Sequence, residues 1–417
     1  MRPVMNKSEN HFNKFLVLWS GEFISAIGSG LTSFGLGVYV FEQTGKASAI
    51  ALVTLLAFMP ALLLSAPTGV LADRYDRRVL MVLGDSLSAV GLVFILICML
   101  RGEAQLWQIC VGVTISSVFY SLLEPAYKAT VTDLLTPEQY TKASGLVGIA
   151  GSAKYLISPV LAGFLLTVSD IKLLLIIDIC TFFITVASTL VVRSGIVSKK
   201  SEATTSFLRE LNDGWGAVTE NRGVLILVMM GAVITFFLGF IQTLSAPMLL
   251  AFSDSATLGL AETICASGML VSSVLVGIIS IKKGYAKILS TTLLFAGIFM
   301  VVFGLREDLL LICISGFLFF AMLPFANSSL DYMVRTNIKN ELQGRAWGLI
   351  GIISQLGFVV AYALSGVLAD YAGKALKIGV GRGAGSLIVV AGVLLSVTAV
   401  VLYQMKSVRQ LEKRGVS

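Results

Sequence analysis

The stretch GVLADRYDRR, residues 69–78, places two acids and three arginines within six positions, between two long apolar blocks. Its first five letters return as GVLAD at 366–370, where YAGK follows them. Charged side chains are costly inside an apolar segment, so this cluster predicts an exposed loop between two buried segments. The apolar blocks on either side of the loop therefore decide the fold.

The composition indicates a protein that crosses a membrane several times. Of the 417 residues, 56% are hydrophobic and only 13% are charged, whereas soluble domains carry about 25% charged residues. The single histidine, His11, precedes the first apolar block, and the five cysteines form no CxxC motif. We therefore expect no metal site, no redox centre and no cofactor. Because the first apolar block is too long for a signal peptide, we expect it to be a transmembrane helix.

Twelve apolar blocks are long enough to cross about 30 Å of hydrocarbon as helices. The predicted spans are 15–41, 48–72, 79–101, 105–129, 141–168, 171–193, 223–251, 258–281, 286–305, 308–335, 344–372 and 384–405. With the N-terminus in the cytoplasm, 23 of the 31 lysines and arginines fall on the cytoplasmic side and 7 on the other. This asymmetry follows the positive-inside rule and predicts that both termini are cytoplasmic.

The chain contains an internal repeat with a shift of 203 residues. TPEQYTKASGLVG (136–148) then lies over KNELQGRAWGLIG (339–351), matching a glutamate, a basic residue and three small residues in register. Both copies precede a span that starts from the cytoplasm. The repeat therefore predicts two parallel six-helix halves, which is a recognised transporter architecture.

These features resemble the major facilitator superfamily over nearly the whole chain. The family's loop between spans 2 and 3 reads approximately GxLaDrxGrk, while Asp76 stands here where the family usually has glycine. The matching residues are Gly69, Leu71, Ala72, Asp73, Arg74, Arg77 and Arg78. The D-R-x-D-R-R form and LWSGEFISAIGSGL in span 1 resemble the drug:proton antiporter branch that includes macrolide-efflux proteins. Span 5 resembles the antiporter series GPxxGG, with Ser158 in place of the glycine before proline.

The resemblance implies an all-α membrane protein with twelve transmembrane helices in two pseudo-symmetric six-helix bundles. We expect an N-terminal bundle over 1–193 and a C-terminal bundle and tail over 223–417. The polar segment 194–222 is expected to be a cytoplasmic linker with an interfacial helix. The resemblance also implies a monomer in a bacterial cell membrane, without a nucleic-acid partner.

Polar side chains recur at helical spacing on spans 1, 4, 7 and 10, the four spans that surround the central cavity in the resembled fold. Many aromatic residues accompany them, which favours a large lipophilic substrate over a sugar, although each aromatic residue on its own is more often core packing. The candidate cavity residues are Ser25, Ser29, Phe34, Tyr120, Phe236, Gln242, Asn327, Asp331, Gln355 and Phe358.

Ionisable residues within the spans are candidates for proton coupling, because burial disfavours their charged forms. Glu22 is the first candidate, and Glu124, Asp178 or Glu22 is the expected partner of Lys154 in span 5. The alternative is that these residues form structural ion pairs, or that Asp178 reaches the membrane surface by snorkelling. Asp85, near the inner end of span 3, is expected to join the charged loop.

The loop motif is expected to act as a gate through Gly69, Asp73, Arg74, Arg77 and Arg78. The arginines would bind carboxylates such as Glu124 or Asp133, and Asp73 would cap or pair near the start of span 11. The alternative is a topology anchor that works by positive charge alone. Under the repeat, the mate of this loop is GIISIKKGYAK (277–287), which keeps the positive charge but has no aspartate. The second GVLAD is a lookalike, and its Asp370 is expected to be an interfacial helix end and not a gate.

The function expected from the resemblance is alternating-access efflux of lipophilic or amphiphilic drugs, driven by proton antiport. An exporter or flippase of an endogenous lysophospholipid, siderophore or peptide-like metabolite is the alternative. A membrane enzyme or receptor is disfavoured, because the sequence has no nucleophile–base pair and no soluble sensor domain. No GxxxxGK[ST] phosphate loop is present, so ATP-driven transport is not expected.

Overall fold

A computed structural model describes residues 7–193, 207–279 and 283–414. Every regular element among these residues is helical, and twelve segments are long and apolar enough to cross a membrane. The prediction of twelve helical spans is thus confirmed. The helices are α1 (Lys7–Thr44), α2 (Ala47–Arg74), α3 (Arg77–Arg101), α4 (Leu106–Tyr120), α5 (Leu123–Leu134), α6 (Tyr140–Leu156), α7 (Ser158–Val168), α8 (Ile171–Arg193), α9 (Phe207–Thr219), α10 (Arg222–Leu250), α11 (Ser255–Ile278), α12 (Tyr285–Leu305), α13 (Leu309–Asn337), α14 (Gln343–Ala375), α15 (Gly379–Gln404) and α16 (Lys406–Arg414).

The fourth and fifth spans are each built from two helices. A short turn separates α4 from α5, and α6 passes into α7 at Ile157. Pro125 and Pro159 lie in the first turns of α5 and α7. Because proline has no N–H and its ring clashes with the carbonyl four residues earlier, the helix is interrupted just before each of them.

The backbone repeats at the same shift as the sequence. A 3₁₀ turn at Pro137–Gln139 precedes α6, and a 3₁₀ turn at Asn340–Leu342 precedes α14. Both the turn and the following helix start are displaced by the 203 residues that relate the two sequence copies. The two junctions are therefore built in the same way.

The chain forms two compact units. The first comprises Met1–Val40 and Val53–Thr204, and the second comprises Phe41–Leu52 and Thr205–Ser417. The boundaries fall inside α1 and α2, so the end of α1 and the start of α2 group with the second unit. Of the predicted linker 194–222, residues 194–206 lie outside the described residues, and α9 lies in the second half.

In the first unit, buried contacts anchor the first half of α1. Phe15 and Leu18 are fully buried in an apolar cluster that includes Met81 of α3. The indole Nε1 of Trp19 donates a hydrogen bond of 2.7 Å to the carbonyl of Leu146 on α6. These contacts fix the rotation of α1 and therefore decide where its polar side chains point.

In the second unit, the second GVLAD pentad packs against the start of α2. A Cβ on Gly366 would lie 2.6 Å from the carbonyl oxygen of Ala47 and 2.6 Å from the Cα of Ser48, so only glycine permits this approach. One turn later, the carboxylate of Asp370 accepts hydrogen bonds from the backbone N–H groups of Ala47 and Ser48, at 2.8 and 3.1 Å. Asp370 therefore caps the start of α2, a role that the prediction of an interfacial helix end did not include.

Candidate coupling and substrate-binding site

The charged loop between α2 and α3 begins with a helix cap. The side chain of Asp76 accepts a hydrogen bond of 3.0 Å from the backbone N–H of Arg78, which satisfies a donor in the first turn of α3. Asp76, which stands where the family usually has glycine, therefore caps the start of α3. Of the other motif residues, Arg78 is buried, Asp73 is half-buried and Arg74 is exposed.

Arg77 connects three elements of the first unit. Its Nη1 lies 2.7 Å from Oδ2 of Asp133 near the end of α5 and donates to the carbonyl of Ala129 at 3.1 Å. Its Nε donates to the carbonyl of Ala72 on α2 at 3.3 Å. Of the two carboxylates proposed as partners, Asp133 thus pairs with this arginine. The pair is largely shielded, since 13% of the Arg77 side chain and 21% of the Asp133 side chain are exposed.

Asp178 is buried where α8 meets α1. Its Oδ1 accepts a hydrogen bond from Ser29 on α1 and another from Thr181 on α8, both at 3.4 Å. A Cβ on Gly28 would lie 2.8 Å from that same oxygen, so the absence of a side chain there lets α1 approach the acid. Only 1% of Asp178 is exposed, and the snorkelling alternative does not describe it.

Two further acids lie in the interior of the first unit. The Oε2 atom of Glu22 on α1 and both carboxylate oxygens of Asp85 on α3 are buried, with no hydrogen-bond partner among the described residues. Asp85 is close enough to Glu22 and Asp178 for electrostatic repulsion. We call Glu22, Asp85 and Asp178 the acidic group.

The acidic group contains one residue that sequence reasoning assigned elsewhere. Asp85 is fully buried and does not join the charged loop, so that expectation is wrong. The available signal was an isolated acid within the otherwise apolar α3. Its proximity to Glu22 on α1 and Asp178 on α8 depends on tertiary packing and could not be read from its position in the sequence.

Lys154, half-buried on α6, lies within electrostatic range of Asp178. Of the three acids expected as partners of Lys154, Asp178 is therefore the one that attracts this lysine in the structure. Glu124 instead forms an ion pair of 2.6 Å with Lys128, in which both side chains are largely exposed. Glu124 is also within electrostatic range of Glu22.

In the second unit, polar and aromatic residues lie along α10 and α14. The hydroxyl of Tyr362 donates a hydrogen bond of 3.2 Å to Oε1 of Gln242. The ring of Phe236 lies 4.8 Å from that of Phe240, and the ring of Phe358 lies 5.7 Å from that of Tyr362, measured between centroids. Phe240 and Tyr362 are buried, whereas Phe236, Gln242 and Phe358 are half-buried and form the accessible part of this aromatic surface.

The candidate cavity residues differ in their exposure. Ser25 is buried, Ser29 contacts Asp178, and the candidates on α10 and α14 are half-buried. The half-buried candidates are Phe34, Phe236, Gln242, Gln355 and Phe358, and the exposed ones are Tyr120, Asn327 and Asp331.

The helical architecture and the loop motif define a membrane transporter class. Residues 18–253, more than half of the chain, match the Major Facilitator Superfamily, and the chain belongs to that family. Its twelve spans and its bacterial relatives make it a multi-pass protein of the bacterial plasma membrane. The chain is thus a transporter and not an enzyme.

Among known proteins, the chain is similar to Macrolide efflux protein A of Streptococcus pyogenes. The two are 26% identical over 420 residues, which is 98% of this chain and 100% of that protein. Its fold is similar to that of the nucleoside transporter NupG, with a TM-score of 0.77 and 15% identity over 94% of this chain and 100% of NupG. A bacterial homolog of the human lysosomal transporter Spinster, in an inward-facing and unoccupied conformation, gives a TM-score of 0.73 and 14% identity over 97% and 98% of the two chains.

Proposed function

We propose that this transporter exports lipophilic or amphiphilic drugs of the macrolide class by alternating access, in exchange for protons. The observation that carries the proton-coupling part is the acidic group of Glu22, Asp85 and Asp178. The substrate class and the direction are supported by the similarity to a macrolide efflux protein over 98% of the chain.

The acidic group has the properties that a proton-binding site needs. The carboxylate of Asp85 lies within range of repulsion by those of Glu22 and Asp178, and three oxygens of the group are buried without a hydrogen-bond partner among the described residues. Each proton that binds removes one of these charges and relieves the repulsion. A conformation in which the acids are closer together, or more deeply buried, therefore binds protons more tightly, and proton binding shifts the population toward it.

Lys154 provides the opposing charge. Lys154 attracts Asp178 only while Asp178 is ionised, so protonation of Asp178 weakens the attraction between this lysine on α6 and the acid on α8. We propose that this change links proton binding to movement of the helices. The part-buried hydrogen bond from Ser29 extends the same link to α1.

The aromatic surface of α10 and α14 supports a lipophilic substrate. The half-buried Phe236 and Phe358 offer apolar ring area, and the half-buried Gln242 offers a hydrogen-bonding group beside them. Phe240 and Tyr362 are buried and support these residues through ring contacts and the hydrogen bond to Gln242. Binding sites for drug-sized molecules are mostly apolar with a few placed polar groups, and this surface has that composition. We propose that it contributes contacts to the exported molecule.

The test uses the purified protein in liposomes with an imposed pH gradient and a radiolabelled macrolide. Gradient-driven macrolide movement is expected for the wild type, and the E22Q and D178N variants are expected to slow it by about tenfold or more. The matched control is E42Q, which makes the same substitution at an exposed position on the same helix, α1. Its transport is expected to be unchanged.

Two results would contradict the proposal in different ways. Macrolide movement that persists after the pH gradient is collapsed, or that is normal in both E22Q and D178N, would exclude coupling through the acidic group. A wild type that moves no macrolide but binds a component of a bacterial lipid extract would instead favour an endogenous substrate.

A further inference from the structure

A cavity of about 520 Å³ lies at one end of the second unit, where α12 begins and α15 ends. Its lining includes Lys283, Lys287 and Arg409, together with Leu402, Tyr403 and Glu412. Because both α12 and α15 are membrane spans, this cavity lies at the membrane boundary. The charge distribution of the loops predicts that this is the cytoplasmic side. We call it the basic pocket.

The wall of the basic pocket is a folded element. Helix α16 is held in place by Val408 and Leu411, of which 0% and 2% are exposed, and the Leu411 carbonyl accepts a hydrogen bond of 3.4 Å from Asn337 on α13. Glu412 caps the start of α12, where its carboxylate accepts hydrogen bonds from the backbone N–H groups of Gly284, Tyr285 and Ala286. These contacts hold α16 in place, and every residue that lines the pocket belongs to the second unit.

The pocket carries an excess of positive charge. Its only carboxylate among the described lining residues, Glu412, is committed to three backbone donors at a helix N-terminus, which itself has a partial positive charge. The ammonium groups of Lys283 and Lys287 form no ion pair or hydrogen bond with the described part of the chain. Both side chains are exposed and can donate to an anion that enters the pocket.

Arg409 lines the basic pocket and packs against Tyr403. Its Nε donates a hydrogen bond of 2.6 Å to the carbonyl of Tyr403, and its guanidinium lies 4.6 Å from the centre of the Tyr403 ring. This single hydrogen bond uses only the Nε–H group and leaves the other N–H groups of the guanidinium as donors. The Tyr403 ring and Leu402 provide an apolar wall beside the three cations.

The basic pocket also gives a function to the mate of the loop motif. In the first copy, Arg77 is paired with Asp133 within the protein. The mate, GIISIKKGYAK, contains no acid, and its Lys283 and Lys287 line the pocket instead. Residues 280–282 of this segment lie outside the described residues. The loss of the acid makes the second copy suited to an external anion.

We propose that the basic pocket binds the headgroup of an anionic phospholipid. Lysine and arginine at the cytoplasmic boundary attract the phosphate groups of such lipids, and an apolar wall beside them suits the start of an acyl chain. A soluble phosphate would use the cations but not the apolar wall. The lipid would thereby hold α16 against the ends of α12 and α15.

The experiment measures lipid binding by native mass spectrometry of the full-length protein in detergent. Phosphatidylglycerol is expected to bind, and phosphatidylcholine of the same chain length is not. The K283Q/K287Q variant is expected to lose phosphatidylglycerol affinity by roughly tenfold or more. The matched control is K374Q/K377Q, which removes two exposed lysines just before the first residue of α15, at the opposite end of that helix from the pocket. This variant is expected to bind phosphatidylglycerol like the wild type.

Competition distinguishes the sources of the anion. Glycerol phosphate and inorganic phosphate are expected to displace the lipid only at concentrations far above that of the lipid. The proposal is overturned if K283Q/K287Q binds phosphatidylglycerol like the wild type, if phosphatidylcholine binds equally well, or if glycerol phosphate competes as effectively as the lipid. Because the readout is binding and not transport, these results are independent of the proton-coupled efflux proposed above.

Discussion

Asp370 and Ala47 are 323 positions apart in the chain, yet the carboxylate of one accepts a hydrogen bond of 2.8 Å from the backbone N–H of the other. The same carboxylate accepts a second bond, of 3.1 Å, from Ser48. The last turns of α14 therefore supply the cap that α2 lacks in its own sequence. The stability of the start of α2 therefore depends on a residue that is distant in the sequence.

Replacing Asp370 by alanine is expected to lower thermal stability more than removing a local cap does. D370A removes both hydrogen bonds and the favourable charge at the start of α2, at a cost of about 1–2 kcal/mol. The matched control is D308A, which removes a cap bonded only three residues away, to Leu311 at 2.9 Å. Thermal unfolding of the two purified variants measures the difference. Equal shifts in Tm would show that the long-range contact adds nothing.

The two glycines at the start of the GVLAD pentads are expected to respond differently to the same substitution. G366A places a Cβ 2.6 Å from backbone atoms of α2, and the resulting displacement costs roughly 1–3 kcal/mol. G69A meets no atom within 4 Å and is expected to retain wild-type stability. Yield of folded protein and Tm, compared between the two variants, check this. A destabilised G69A with a normal G366A would reverse the assignment.

The Arg77–Asp133 ion pair is expected to contribute measurably to stability. Because the pair is largely shielded from water, a double-mutant cycle of R77Q and D133N is expected to give a coupling energy of about 1 kcal/mol. The same cycle on Lys128 and Glu124, whose side chains are 69% and 68% exposed, is expected to give a value near zero. R77Q alone is expected to cost more than D133N, because Arg77 also donates to Ala129 and Ala72. The free energy of unfolding in mixed micelles is the measured quantity, and equal coupling in both cycles would contradict the burial argument.

The gate and the topology anchor make different predictions for Asp73. D73N keeps every arginine of the loop, so an anchor that works by positive charge would leave transport normal. If Asp73 acts in a gate, D73N is expected to reduce export by about tenfold with normal insertion in the membrane. D76N is the matched control in the same loop, because asparagine also caps a helix and can replace the bond from Asp76 to Arg78. Export assays in cells without their own efflux pumps, together with membrane protein levels, distinguish the two.

Much of the architecture follows from local properties of the chain. Each span was predictable because a run of about 20 apolar residues must form helix in hydrocarbon, whatever its neighbours are. The repeat at 136–148 and 339–351 was visible because both junctions use the same turn and helix start. The splits within the fourth and fifth spans were not predicted, although Pro125 and Pro159 were available as signals.

The candidate site was only partly predictable. Glu22, Asp178 and Lys154 stood out because ionisable residues are rare in apolar segments. Asp85 met the same criterion but was assigned to the loop, since nothing in the sequence states which way α3 is rotated. Glu124 was predicted to pair with an arginine of the loop, but it pairs with Lys128, one helical turn away on the same helix.

By itself, the sequence determined the twelve spans, the parallel repeat and the identity of the residues that carry charge into the membrane. Only the tertiary structure decided which of those residues pair, such as Arg77 with Asp133 and Asp370 with the start of α2, and which lie within electrostatic range, such as Asp85 with Glu22 and Asp178. The physical reason is the distance along the chain over which each effect acts. Helix formation in a membrane depends on each segment's own hydrogen bonds and apolar length, whereas a partner is selected by packing between residues that are distant in the chain.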